Sequence, residues 1–207
     1  MEKENKKTRK TDHRTLYTKK IIQDSLLDVL YYKNFEQITV TEVCKRANIT
    51  RATFYLHYKT LTDVLDELLT EALETAEKNV HNPDKDIDQI LNLLHYNKES
   101  SVIGHESMLP VTQKVGQLSK YRPIFKDETL SSYVVNKIYQ SQRKKLVPAF
   151  IDHFSLSQKE AEMLVLFIIN GTFSVNKAMN WTKDETWYEI HAMLMKFAAG
   201  GYDNLKK

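Results

Sequence analysis

The chain has 207 residues, 42% of them hydrophobic, which is enough to bury a substantial core in one integrated protein or in a small head plus a body. Five Gly and four Pro are few for this length and favour long helices over a turn-rich β fold. Residues 1–60 carry 13 Lys and Arg against 7 Asp and Glu, whereas residues 61–207 carry 17 against 20, so a polyanion suits the N-terminal part and not the rest.

Residues 1–12 contain no apolar side chain beyond Met1 and read as a flexible basic arm. The first predicted helix runs from about His13 to Tyr32, with Ile22, Leu26, Val29 and Leu30 on one stripe and the small Ser25 beside them. Asn34 is a candidate stop, because Asn tolerates the left-handed conformation. Thr39-Val40-Thr41-Glu42 has the form of a capping box and starts a short helix to about Ala47, with Val43, Cys44 and Ala47 inward. Asn48 is a second left-handed stop and Ile49 an anchor for the turn. Thr50 caps a third helix, Arg51 to about Lys59. Thr60 and Asp63 cap a fourth, to about Val80.

The remainder also reads as helical, which makes the fold class all-α. One helix is expected from Asn82-Pro83 to about Asn97 and another from about Val111 to Ser119, with an ambiguous stretch between Lys98 and Leu109. Tyr121-Arg122-Pro123 marks a break. A long helix follows from Asp127 to about Phe154, with Pro148 as a candidate kink. Ser157 to Glu160 and Thr182 to Glu185 form the capping boxes of the last two helices.

Two short capped helices joined at Asn48-Ile49 make a helix-turn-helix. In such a unit the second helix enters the major groove of DNA and its N-terminal residues reach base edges, while the free N–H groups at that end suit phosphate oxygens. The segment ITVTEVCKRANITRATFYLHYKTLTDVL, Ile38 to Leu65, resembles the tetracycline-repressor (TetR) family, and the likeness covers residues 15–70. A second stretch, Phe167 to Trp181, is similar to the C-terminal helix pair of part of that family.

The resemblance implies roles for individual residues. Arg51, Ala52 and Tyr55 take base-facing positions, Arg51 toward guanine and Ala52 or Tyr55 toward a thymine methyl. Thr39, Thr53 and His57 take phosphate-holding positions, and Thr41 one that reaches a base or a phosphate. Thr50 stands at the head of the recognition helix, and Phe54 and Tyr58, four apart, face the core. Leu61 stands where the family usually has Lys, so one phosphate contact is missing unless Lys59 replaces it.

The resemblance also implies three parts: an arm at 1–12, a DNA-binding head at 13–60, and a connecting helix with a dimerisation and effector body at 61–207. Leu164, Phe167, Ile168, Gly171 and Val175 form one apolar stripe, and Ile190, Leu194 and Phe197 another. Paired with a second copy they would form a four-helix dimer interface; otherwise they pack within one subunit. Tyr96, Met108, Phe125, Tyr133, Phe150, Phe173 and Trp181 are candidates for the wall of a small-molecule pocket, or for plain core.

Other classes find little support. No Gly-rich phosphate loop, C-x-x-C, H-E-x-x-H or G-x-S-x-G occurs, so an enzyme is not expected, and no cofactor is implied. His95, His105 and His153 lack metal-ligand spacing, and the single Cys44 reads as a small buried thiol. The longest apolar run, Met163 to Ile169, is far short of a membrane span, and the N-terminal stretch is charged, so a cytoplasmic location is expected. The expected function is a transcription regulator, a ligand-responsive repressor acting as a homodimer on a palindromic operator. The alternative is a coactivator on the same fold that works through a protein partner.

Overall fold

The computed structural model describes residues 2–78 and 114–205. The helix expected at 82–97, the ambiguous stretch after it, and the pocket candidates Tyr96 and Met108 lie outside the described residues. Among those described, the chain is all-α with no strand. Among the described residues no helix is long and apolar enough to cross a membrane.

Helix α1 spans Glu2–Leu30. It takes in residues expected to form an arm, because Glu, Lys and Arg are good helix formers and no Gly or Pro interrupts them. Its stripe is as expected, with Ile22, Ser25, Leu26, Val29 and Leu30 buried. The stop at Asn34 is not left-handed: Asn34 is extended (φ −67°, ψ 146°) and leads into a 3-10 turn, Phe35–Gln37.

Helices α2 (Val40–Arg46), α3 (Arg51–Tyr55) and α4 (Leu61–Lys78) follow. Expected to reach Lys59, α3 closes at Tyr55, where the N–H groups of His57 and Tyr58 both turn back to the Phe54 carbonyl. Helix α4 begins with a reciprocal cap. Thr60 Oγ1 accepts from Asp63 N–H at 3.2 Å, and Asp63 Oδ2 accepts from Lys59 and Thr60 N–H at 2.9 and 2.8 Å. These bonds hold the Asp63 carboxyl below the usual range, the Thr60 N–H foremost. The inner face of α4 (Val64, Leu65, Leu68, Leu69, Ala72, Leu73 and Ala76) belongs to a single cluster that runs from α1 to Trp181.

The body resumes with two 3-10 turns, Val115–Gln117 and Ser119–Tyr121, where an α-helix was expected. Gly116 lies so close to Trp181 that a Cβ there would overlap the indole ring. Trp181 is itself wedged between Phe125 and Phe173, with ring centroids 5.2 and 5.1 Å away. Helix α5 (Arg122–Lys126) starts with Pro123 in its first turn, where a missing N–H costs nothing. A 3-10 turn, Glu128–Leu130, precedes α6 (Ser131–Phe154), which runs through Pro148 and ends at Ser155 in the left-handed region. Helix α7 (Gln158–Ala178) opens with the expected capping box of Ser157 and Glu160 and packs along α6.

The last helix, α8, spans Glu185–Leu205. Its cap is Asp184, whose Oδ1 accepts from Trp187 N–H at 2.9 Å, and not Thr182. The turn after α7 uses up Thr182: Asn180 and Trp181 are both left-handed, and Thr182 N–H bonds back to Met179. Helix α8 is tied to α7 by Trp187 Nε1–H, which donates to Asn176 Oδ1 at 2.9 Å inside the protein. His191 stacks on Trp187 at 3.9 Å. Its Nδ1 lies 2.9 Å from the Trp187 carbonyl, which only accepts, so Nδ1 carries the proton and the buried Nε2 is left bare.

Two outcomes follow. Gly116→Ala forces the rigidly packed Trp181 ring to shift and is expected to cost about 1–3 kcal/mol, read as a lower urea midpoint. An unchanged midpoint would show that the ring has room to move. His191 is held neutral, its pKa pushed below the ordinary 6.5 by burial, against the opposing carbonyl of Trp187. A depressed folded value means that the unfolded chain binds the proton first, so this contribution to stability is complete above 6.5 and is lost as pH falls through the folded value. His191→Gln should flatten that acid-side loss of melting temperature; identical slopes for the two proteins would refute it.

Candidate nucleic-acid interface

The helix-turn-helix is fixed by local bonds and by its contact with α1. Thr39 Oγ1 accepts from Glu42 N–H at 3.2 Å. The Glu42 carboxylate turns mainly to Lys33 Nζ, at 2.8 Å, which lowers its pKa. Arg46 Nε and Nη2 donate to Asp28 Oδ2 at 3.0 and 2.8 Å and tie α2 to α1. Asn48 turns the chain with φ 53°, the left-handed stop expected of it. Thr50 then caps α3, its Oγ1 accepting from Thr53 N–H at 3.1 Å.

Burial sorts the residues of α3. Phe54 and Tyr58 face the core with ring centroids 5.9 Å apart. The Tyr58 hydroxyl is reached by Gln23 Nε2–H at 3.3 Å, and its pKa is raised by burial and by Glu67. Lys19 lies 5.2 Å above the Tyr58 ring and is committed to Glu67 at 3.0 Å, so this lysine serves the fold.

The opposite side of the unit is open. Thr39, Thr41, Thr50, Arg51, Ala52, Tyr55 and Lys59 are exposed, and Thr53 and His57 are half-buried. Arg51 and Tyr55, four residues apart, lean together: Arg51 Nη2 lies 3.4 Å from the Tyr55 hydroxyl and the guanidinium 5.8 Å from the ring. The hydroxyl raises the Arg51 pKa further, so the charge is permanent. Tyr55 remains 49% exposed. A fixed cation, an aromatic face, a methyl and several hydroxyls on one short helix end match the chemistry of base edges and phosphates.

Leu56 is 81% exposed beside Tyr55 and was not among the expected contacts. Its signal was present in the sequence: it is apolar yet falls between Phe54 and Tyr58, off the buried stripe. Leu61, the departure from the family pattern, packs against the core.

A second missed residue is Asp127, from the body. It is 6% exposed, and its Oδ2 accepts from Phe35 N–H at 2.6 Å, at the turn between α1 and α2. Its Oδ1 accepts from Thr129 N–H at 2.8 Å and from the Thr129 hydroxyl at 2.6 Å. The partners are 92 positions apart, and no local pattern announces them.

The pocket candidates are mostly core. Phe125, Phe150, Phe173 and Trp181 are buried. Phe125 and Phe173 flank Trp181, whereas Phe150 packs on Phe154. Tyr133 donates to Asp66 of α4. The two apolar stripes divide. Leu164 and Ile168 pack against the core of their own chain, and Val175, Ile190 and Leu194 are half-buried. Phe167 and Phe197 stand 70% and 78% exposed, with Met163 and Met193 exposed as well. Gly171 faces open space.

Over 67 residues the chain is 34% identical to an uncharacterised HTH-type transcriptional regulator, YxbF, of Bacillus subtilis (strain 168). The match takes in 32% of this chain and spans 18% of that protein's length. No protein-family model matches the chain. No solved structure matches it either.

Proposed function

We propose that the chain is a DNA-binding transcription regulator of the TetR kind. The reading rests on one observation: α3 and the turn after it bury Phe54 and Tyr58, and α3 turns Arg51, Ala52 and Tyr55 outward from a left-handed turn at Asn48. The likeness to an HTH-type transcriptional regulator supports it. Arg51, Ala52 and Tyr55 read bases, with Leu56 beside them. Thr39, Thr41, Thr50, Thr53, His57 and Lys59 hold phosphates or reach nearby base edges. Residues 13–60 serve as the reading head and 61–207 as the body, in the cytoplasm.

The regulator acts as a homodimer on a palindromic operator. Phe167 and Phe197 are large apolar side chains turned to solvent on the two helices that would pair, and exposed apolar surface of that kind marks an interface. It is a repressor released by a small molecule. A ligand in the body changes the spacing of the two heads, and it must bind the mismatched state more tightly to do so. A coactivator working through a protein partner is the second reading, favoured by Leu61, a half-buried apolar side chain packed against the core where a phosphate-binding Lys would be needed.

Selection of bound fragments from random DNA with the purified protein tests the main reading, and a palindromic consensus is the expected result. Recovery of no sequence preference would favour the coactivator. On the selected site, Arg51→Ala is expected to weaken binding by about 1–3 kcal/mol and to relax preference at one base pair per half-site. Unchanged affinity and preference would remove Arg51 from the interface. At Gly171 an added Cβ meets nothing within 4 Å among the described residues, so Gly171→Leu is read with the melting temperature as a check on folding. It is expected to weaken the dimer, read by sedimentation equilibrium, and a monomeric unmodified protein at micromolar concentration would contradict the proposed assembly.

A further inference from the structure

A groove of about 460 Å³ opens in the body, with Lys126, Glu128, Ser174, Lys177, Asn180 and Trp181 in its wall. Its charges are poorly matched within the protein. Lys177 Nζ lies 3.1 Å from Ser131 Oγ and only 3.9 Å from the exposed carboxylate of Glu128. Exposed pairs that long hold little energy. Lys126 is exposed and forms no ion pair among the described residues.

The same wall holds an unmet donor. Trp181 is 4% exposed, and its Nε1–H has no acceptor among the described residues. Gly116 covers the Cε3–Cζ3 edge of the ring, which is the edge away from the N–H. Native structures rarely leave a buried donor unpaired, and each exception asks for an explanation such as an absent ion or ligand. Two ammonium groups stand against the carboxylate of Glu128 in this wall, an excess of one positive charge beside a hydroxyl and an amide. That excess selects an anion.

The groove also adjoins the attachment of the head. Lys126 and Glu128 flank Asp127, whose carboxylate holds the Phe35 N–H at 2.6 Å. We propose that this groove binds a small organic anion, its carboxylate or phosphate oxygens taken by Lys126 and Lys177, and that binding there moves the head through Asp127. The binding step stands on the groove alone; its consequence for DNA rests on the regulator reading above.

The test uses the full-length protein and its ¹H–¹⁵N spectrum, with the Trp181 indole signal assigned through Trp181→Phe. Sodium benzoate and inorganic phosphate are titrated separately against sodium chloride at equal ionic strength, which separates a carboxylate ligand from a phosphate. The Trp181 indole signal and the Phe35 amide signal are expected to move together and saturably with one of the two probes. Lys126→Gln with Lys177→Gln should weaken that response at least tenfold, with the melting temperature as a check on folding. No saturable movement with either probe overturns the site, and so does an undiminished response in the double variant. Movement of Trp181 with a stationary Phe35 amide overturns the coupling. Affinity for the selected DNA is then measured with and without the active probe. A change supports regulation through this groove. Failure to bind any DNA sinks the regulator reading and leaves the anion site standing on its spectra.

Discussion

One apolar face of α4 holds the molecule together. Val64, Leu65, Leu68, Leu69, Ala72, Leu73 and Ala76 join one apolar cluster with residues of the head and of the body, and α4 packs on α1 on one side and on α6 on the other. At about 1.5–3 kcal/mol for each fully buried large aliphatic side chain, this face outweighs any single polar contact between the two parts. The flanks of the helix are acidic and are matched from both sides. Glu67 pairs with Lys19 of α1, Glu71 with Lys120, Asp66 with Lys137 and Glu77 with Lys145. These pairs are partly exposed and individually weak, so they set the register of α4 against its neighbours more than they stabilise it.

What the sequence made legible is what sequence neighbours decide. Thr39, Thr50, Thr60 and Ser157 cap the helices they were expected to cap, and Asn48 is left-handed, because each feature involves residues within four positions. The outward set on α3 was legible for a related reason: Phe54 and Tyr58 fix which face is buried, and the rest follows from helical spacing. Leu56 lies off that stripe, and the resemblance assigns its position no role. Thr182 looked like a cap, but packing of Trp181 between Phe125, Phe173 and Gly116 commits the chain to two left-handed residues, and the helix starts later. Residues 2–12 offer no apolar period, and helix propensity alone decides their backbone.

The body shows the same division between local and distant causes. A single apolar stripe in the sequence of α7 becomes two faces in three dimensions. Val165, Ile169 and Phe173, four apart, are buried, while Phe167 stands out on the other side. Periodicity reports that both faces are apolar, but which face meets its own chain depends on α6, whose inner residues Val134, Ile138 and Val147 lie elsewhere in the sequence. The Trp187, Asn176 and His191 network is equally silent in the sequence, since an Asn in the middle of α7 reads as a surface residue until the indole finds it.

The head therefore has two attachments of different stiffness. Along α4 the contact is apolar, and the pair of Lys19 with Glu67 that joins it to α1 is partly exposed and within about 1 kcal/mol of nothing. At Asp127 the contact is a buried carboxylate with every bond satisfied by N–H or O–H donors. Breaking it would leave a buried carboxylate oxygen and the Phe35 N–H without this bond, and a hydrogen bond to a carboxylate typically contributes about 1.5–3 kcal/mol. A displacement of the turn around Asp127 is thus passed on to Phe35 and not absorbed by loss of the bond. Phe35 begins the short turn that leads directly to α2, and α2 packs on α3. A displacement in the body that reached Asp127 would be carried to the outward-facing helix through Phe35 and α2, and the apolar face of α4 would limit how far the head could follow.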